Sequence, residues 1–124
     1  MWLLKLDKVK YFRRIDNLKI AVASSDGKNV NLHFGKAKTL YIYEIKDDEF
    51  YFIEKRNVEI NEDEKHQGSK VINVISDCDV AIVTQYGPKT KIKANKIGLK
   101  IITDEGLIED VLTRYIEHVK FMNS

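Results

Sequence analysis

The chain has few of the residues that commit a sequence to a special class. Its 124 residues include one cysteine, Cys78, which has no partner for an internal disulfide. A reducing cytoplasm is therefore the expected compartment. No run approaches the roughly 18 apolar residues that a membrane span needs. The start, MWLLKLDKVKYFRR, is interrupted by charges and has no small-residue cleavage site, so it does not read as a secretory signal. There is a single proline, glutamine is scarce, and there is no internal repeat or low-complexity segment. The formal net charge of +2 is too small for a nucleic-acid footprint. Neither nucleic acid nor a membrane is expected as a partner.

What is present is an ordinary globular balance, 44% hydrophobic and 32% charged, in a length that suits one core. Charge is unevenly spread. Residues 1–19 carry six Lys/Arg against two acids, and residues 44–64 carry nine acids against three Lys/Arg. Both read as solvated faces. Residues 1–17 follow neither a helical nor a strand period and are expected to be a basic extension, with Asp16-Asn17 as a turn. Residues 18–120 are expected to form the single domain.

Within that domain LKIAVAS, residues 18–24, is a nearly continuous apolar run, as in a strand covered on both faces. Residues 39–46 and 50–57, with Asp47-Asp48-Glu49 between them, read as a hairpin. Val71, Ile72, Val74 and Ile75 repeat at helical spacing. Residues 80–83 and 99–103 are two further buried strands. Gly87-Pro88 opens a lysine-rich helix that ends near Ile97-Gly98. Asp104 is expected to start the last helix, with Leu107, Ile108, Val111, Leu112, Tyr115 and Val119 as its apolar stripe. The order β-β-β-α-β-α-β-α, with right-handed crossovers, predicts an α/β fold. Its five-stranded mixed sheet has strand order 3-2-1-4-5 and strand 2 antiparallel.

That topology sorts the polar residues. The loop after the first strand, the segment before the first helix and the turn at Gly87 all fall at the carboxyl end of the first strand. His33, His66 and Gly87 therefore share one edge, where open α/β sheets bind ligands. Cys78 falls at the opposite edge and reads as a small core residue. His118 lies near the end of the last helix, where it favours the helix dipole. The first strand carries no acid, so a two-metal nuclease is excluded. No G-x-S-x-G elbow accompanies Ser24 and Ser25. No enzymatic activity is expected.

The stretch KIAVASSDGKNVNLHFGKAKTLYIYEI, residues 19–45, resembles the dinitrogenase iron–molybdenum cofactor biosynthesis family, which includes NifX-like and NafY-like carriers and the C-terminal domain of NifB proteins. The matching features are Ala23-Ser24, Asp26-Gly27, Val30, His33-Phe34-Gly35, Ala37 and the YIYEI strand. Later come His66 and Gly68 before a helix, and Gly87-Pro88. The likeness spans about residues 18–118. Thr90 stands where the family often has alanine, and Gln85-Tyr86 where it is often glycine-rich.

The resemblance implies an RNase H-like sheet and a non-catalytic carrier or scaffold for an iron–sulfur or iron–molybdenum type cluster, bound transiently. It implies His33 as the candidate metal ligand, with His66 a second. Ser24, Ser25 and Asn31 are candidates for the bond that fixes the imidazole's other nitrogen. Phe34, Gly35 and Gly87 are expected to line the site with them. Partners would be cluster-donor or cluster-acceptor proteins, and the chain a monomer or weak homodimer. Two alternatives stay open. The His-Phe pair can be a structural clamp, the imidazole capping backbone carbonyls while Phe34 plugs the core. The domain can also be an interaction or regulatory module that binds no cluster.

Overall fold

In a computed structural model, residues 17–61 and 63–123 are described. The strands are β1 (Lys19–Ala23), β2 (Asn29–Val30), β3 (Thr39–Lys46), β4 (Glu49–Asn57), β5 (Val80–Val83), β6 (Lys100–Thr103) and β7 (Gly106–Leu107). The helices are α1 (Gly68–Val74), α2 (Pro88–Lys96) and α3 (Ile108–Asn123), with a one-turn 3-10 helix at Phe34–Lys36. Five strands form a mixed sheet in the order β4-β3-β1-β5-β6. β1 runs parallel to β5 and β5 to β6, while β3 is antiparallel to both β1 and β4. Of the expected basic extension 1–17, all but Asn17 lies outside the described residues.

The apolar runs explain this layering. β1 and β5 are central, so both of their faces must be covered. Ala21, Ala23, Ala81 and Val83 point to the side of α1 and α2, where small side chains let the helices sit close. Ile20, Val22, Val80 and Ile82 point to α3, against Ile108, Val111, Leu112 and Tyr115. Each fully buried Ile or Val of this kind contributes about 1.5–3 kcal/mol. The edge strand β4 is covered less. Tyr41, Tyr43, Phe50 and Phe52 form a ring cluster on its α3 side, with Tyr43 and Phe52 centroids 5.6 Å apart, and Phe52 remains 55% exposed. The register shift beside Tyr43 leaves Ile53 as a bulge.

Three boundaries differ from expectation. The β3–β4 turn is the two residues Asp47-Asp48, both at positive φ, and β4 starts at Glu49. β2 and β7 pair in a small second sheet. The last helix starts at Ile108 rather than Asp104. Gly106 takes φ +108 and joins β7, and Leu107 is 53% exposed instead of lying on the apolar stripe. The Asp104 carboxylate instead accepts from the Glu105 N–H at 2.8 Å and pairs with Arg114 at 3.0 and 3.1 Å. That pairing holds the Asp104 carboxyl below its ordinary range.

Candidate functional site

The loop from Ser24 to Lys36 leaves the carboxyl end of β1 and is folded around one carboxylate. Asp26 Oδ1 accepts from the backbone N–H groups of Lys28 and Asn29, both at 2.9 Å, and from the Ser24 hydroxyl at 3.1 Å. These donors, the Asn29 N–H first, hold Asp26 well below the usual carboxylate range. Ser24 Oγ also accepts from the Gly27 N–H at 2.9 Å. Ser24 is fully buried with its hydroxyl satisfied. Ser24 was expected at the ligand; it is instead a fastening inside the loop. The signal was present in Asp26-Gly27, a turn dipeptide. β2 ties the far side of the loop to β7, and the Ile108 N–H donates to the Lys28 carbonyl at 2.8 Å.

Ser25 and Asn31 are exposed and bond each other. The Ser25 N–H donates to Asn31 Oδ1 at 2.9 Å, and Asn31 Nδ2 to Ser25 Oγ at 2.8 Å. None of the three residues expected to fix the imidazole does so. His33 Nδ1 accepts from the Gly35 N–H at 3.0 Å, which makes His33 the N-cap of the 3-10 turn. The physical reason is local: a residue at φ −69 and ψ 146 brings its ring over the N–H two residues on. His33 is partly exposed. Phe34 is fully buried in the α1–α2 core, so it plugs the core and does not face a ligand. The clamp arrangement thus holds for Phe34, while the imidazole caps an N–H and not carbonyls.

The backbone on either side of His33 is anchored to the end of β5. The Thr84 N–H donates to the Leu32 carbonyl at 3.0 Å, and the Phe34 N–H to the Gln85 carbonyl at 2.9 Å. These bonds bring the His33 turn beside Thr84–Gly87, as the topology predicts. Gly87 is the N-cap of α2, makes no side-chain cap bond there, and has open space where a Cβ would stand. The first turn of α2 holds no acid and carries Lys89 and Lys91, while Lys93 and Lys96 lie in its last turn. The N–H groups of the first turn, with Lys89 and Lys91, give that end a positive field.

His66 is exposed, sits at φ +60, and makes no hydrogen bond or ion pair among the described residues. Its neighbour Gln67, which sequence reasoning passed over, is buried and clamps the preceding loop. Gln67 Oε1 accepts from the Asn61 N–H at 2.8 Å, and Gln67 Nε2 donates to the carbonyls of Asn61 and of Glu64, the latter at 3.0 Å. No spacing pattern announces such a clamp.

Cys78 sits at the opposite edge. The Asp79 N–H beside it donates to the Lys19 carbonyl at the start of β1. Burial, reinforced by the Asp77 carboxylate, pushes the Cys78 thiol up to about 12. Asp77 is paired with Arg56 at 2.5 and 2.9 Å and with Lys19 at 3.3 Å, and Arg56 holds its carboxyl well below the ordinary range. His118 is exposed on α3, in a groove of about 270 Å³ beside Arg114 and Lys100. Neither Cys78 nor His118 joins the His33 edge.

This donor set decides what the edge can hold. Among the described residues no three His, Cys, Asp or Glu come together as a metal cage. A bare ion or a cluster under assembly needs several ligands, thiolates above all for iron–sulfur. The edge presents one partly exposed imidazole, that of His33, beside the start of α2. No helix among the described residues is long and apolar enough to cross a membrane.

Comparison with known proteins adds the following. A family profile described as dinitrogenase iron-molybdenum cofactor matches residues 16–118. The crystal structure of the protein PH0822 superposes with a TM-score of 0.69 at 23% identity, covering 82% of this chain and 90% of that one. A candidate dinitrogenase of Methanocaldococcus jannaschii, MJ0327, gives 0.59 at 22% identity, covering 83% and 91%. Its solution NMR structure gives 0.58 at 23% identity, covering 83% and 90%. At these identities the likeness speaks for the fold. No curated protein matches the chain.

Proposed function

As the chain belongs to the dinitrogenase iron–molybdenum cofactor family, we propose that it is a non-catalytic carrier or scaffold, with an RNase H-like sheet, that takes a preassembled cluster of iron–sulfur or iron–molybdenum type at the His33 edge. The observation that carries this reading is the partly exposed His33 ring, anchored by its backbone next to the open start of α2, where Lys89 and Lys91 stand and no acid does. His33 is the metal contact. Gly35 and Gly87 leave room for a bulky ligand, and the α2 N–H groups face its negative charge. Ser25 and Asn31 border the edge. His66 lies before α1 and is a weaker second contact. Cluster-donor and cluster-acceptor proteins in the cytoplasm are the partners, with residues 1–17 as a basic docking arm on a monomer or weak homodimer.

Anaerobic titration with a [4Fe–4S] cluster assembled from ferric iron, sulfide and excess thiol, the thiol reducing half of the iron as it forms disulfide, tests this by its visible absorption. The wild type takes up the cluster, and so does Cys78→Ala. Uptake lost by Cys78→Ala and kept by His33→Ala would put the site at the other edge. A second reading is an interaction module that binds no cluster. The bond between the Gly35 N–H and His33 Nδ1 favours it, because it gives the histidine a purely structural task. A wild type that takes up no cluster leaves that reading in place.

A further inference from the structure

The Gly35 N–H donates to His33 Nδ1, so Nδ1 spends its lone pair there and carries no hydrogen. A neutral imidazole has one N–H, which must then be on Nε2. A ring nitrogen binds iron only through a free lone pair. In this arrangement neither nitrogen has one: Nδ1 faces the Gly35 N–H, and Nε2 holds the proton. Two routes free a lone pair. Nδ1 can turn from Gly35 to the metal. Alternatively the Nε2 proton passes to water while Nδ1 takes one from water, after which Nδ1 no longer accepts from Gly35. Both routes break the same hydrogen bond, and neither changes the net proton count.

We propose that the Gly35–His33 bond is a latch that holds His33 in a tautomer unable to bind metal, and that loading of a cluster opens it. The proposal rests on the reading of His33 as the metal contact. The surrounding backbone lets the ring swing without unfolding the turn. The Lys36 N–H still donates to the His33 carbonyl at 3.0 Å, the Ala37 N–H to the Phe34 carbonyl at 3.2 Å, and the Phe34 N–H to the Gln85 carbonyl at 2.9 Å. Opening therefore gives up one hydrogen bond. That cost falls equally on every ligand that binds through the His33 ring.

The test has two readouts. A through-hydrogen-bond 15N–15N coupling between Gly35 N and His33 Nδ1 is expected in the protein without cluster, with the ring hydrogen on Nε2. A hydrogen on Nδ1 would overturn the proposal. Gly35→Pro removes the donor, while Gly35→Ala keeps it and adds a Cβ in ordinary contact, 3.6 Å from Nδ1. Because the competent state is otherwise only a fraction of the population, Gly35→Pro is expected to bind the reconstituted [4Fe–4S] cluster about 3–10-fold more tightly, the range one such bond allows. Gly35→Ala keeps the donor and should show no such gain, and tighter binding by Gly35→Ala would overturn the latch. A folded Gly35→Pro with unchanged affinity sinks the latch. If that variant fails to fold, the coupling in the wild type and its loss on cluster uptake decide. A coupling that persists in the loaded protein also sinks the latch. A wild type that shows the coupling but takes up no cluster overturns the carrier reading and leaves the tautomer assigned.

Discussion

The Gly27 backbone lies against the ring of Tyr41, so closely that a Cβ on Gly27 would stand 2.9 Å from Tyr41 Cε2 and Cζ. Gly27 also sits at φ +74, where a side chain is strained. Gly27→Ala therefore meets two penalties, backbone strain and overpacking. Together they should cost roughly 2–4 kcal/mol. Urea denaturation measures it. Adding Tyr41→Ala should return part of that loss by removing the clash; a double variant no better than the sum of the single ones would show that the ring is not the obstacle.

The same reasoning separates what was legible in the sequence from what was not. The β1 and β5 runs are long, apolar and unambiguous, and the order of elements around them dictates the sheet and hence the edge that holds His33. The β2–β7 pair has two residues per strand, too few for any period to appear. Asp104 before an apolar stripe looks like a helix cap, and only the positive φ of Gly106 shows that the chain first turns into β7. The His33 cap belongs to a single 3-10 turn, again without period. Ser24 reads as a ligand-facing hydroxyl until its bonds to Asp26 and Gly27 are seen. Topology follows from patterns of many residues, whereas the role of one polar side chain follows from local geometry.

Thr90 and Gly68 form a matched pair between α2 and α1. A Cβ on Gly68 would lie 2.6 Å from Thr90 Oγ1. The absence of a side chain at Gly68 is what accommodates the Thr90 hydroxyl here. Gly68→Ala should lower stability by about 1–3 kcal/mol, and Gly68→Ala with Thr90→Ala should recover most of it. Thermal melts of the four variants of this cycle give the answer. Equal losses in the single and double variants would mean that the helices do not meet at this point.

Acid should loosen the loop that carries the site. The Asp26 carboxyl is held low in the fold by N–H donors, the Asn29 N–H first. The stabilisation is therefore complete above the unfolded value of about 3.9 and is lost as pH falls through the lower folded value. Asp77, held low by Arg56, adds in the same direction. Urea midpoints should fall from about pH 5 to about pH 2.5. Asp26→Asn should be less stable at neutral pH and show a flatter acid slope. A slope identical to the wild type would mean that Asp26 keeps its ordinary value.

Cys78 should be nearly inert in the folded chain. With its thiol pushed up to about 12, the thiolate fraction at neutral pH is roughly a thousandfold below that of a free cysteine. A thiol reagent should label it slowly in buffer and at once in denaturant. Fast labelling of the native protein would contradict its burial.

His33 should matter for binding far more than for folding. Its stability role is one hydrogen bond, from the Gly35 N–H at 3.0 Å, so His33→Ala should cost about 0.5–1.5 kcal/mol. Asparagine is a good N-cap and can accept the same N–H, so His33→Asn should keep nearly the full stability. Neither substitute offers an imidazole. Both should therefore bind the reconstituted [4Fe–4S] cluster about 10–100-fold more weakly, the loss typical when a contact that supports a metal site is removed. His33→Asn is the informative variant, since it leaves the turn capped and takes away only the ring. If His33→Asn binds as the wild type does, the imidazole is a cap and nothing more, and the contact with cargo lies elsewhere on the edge. If it folds normally and loses binding, the ring acts in both tasks, and the two can be separated by a single side chain.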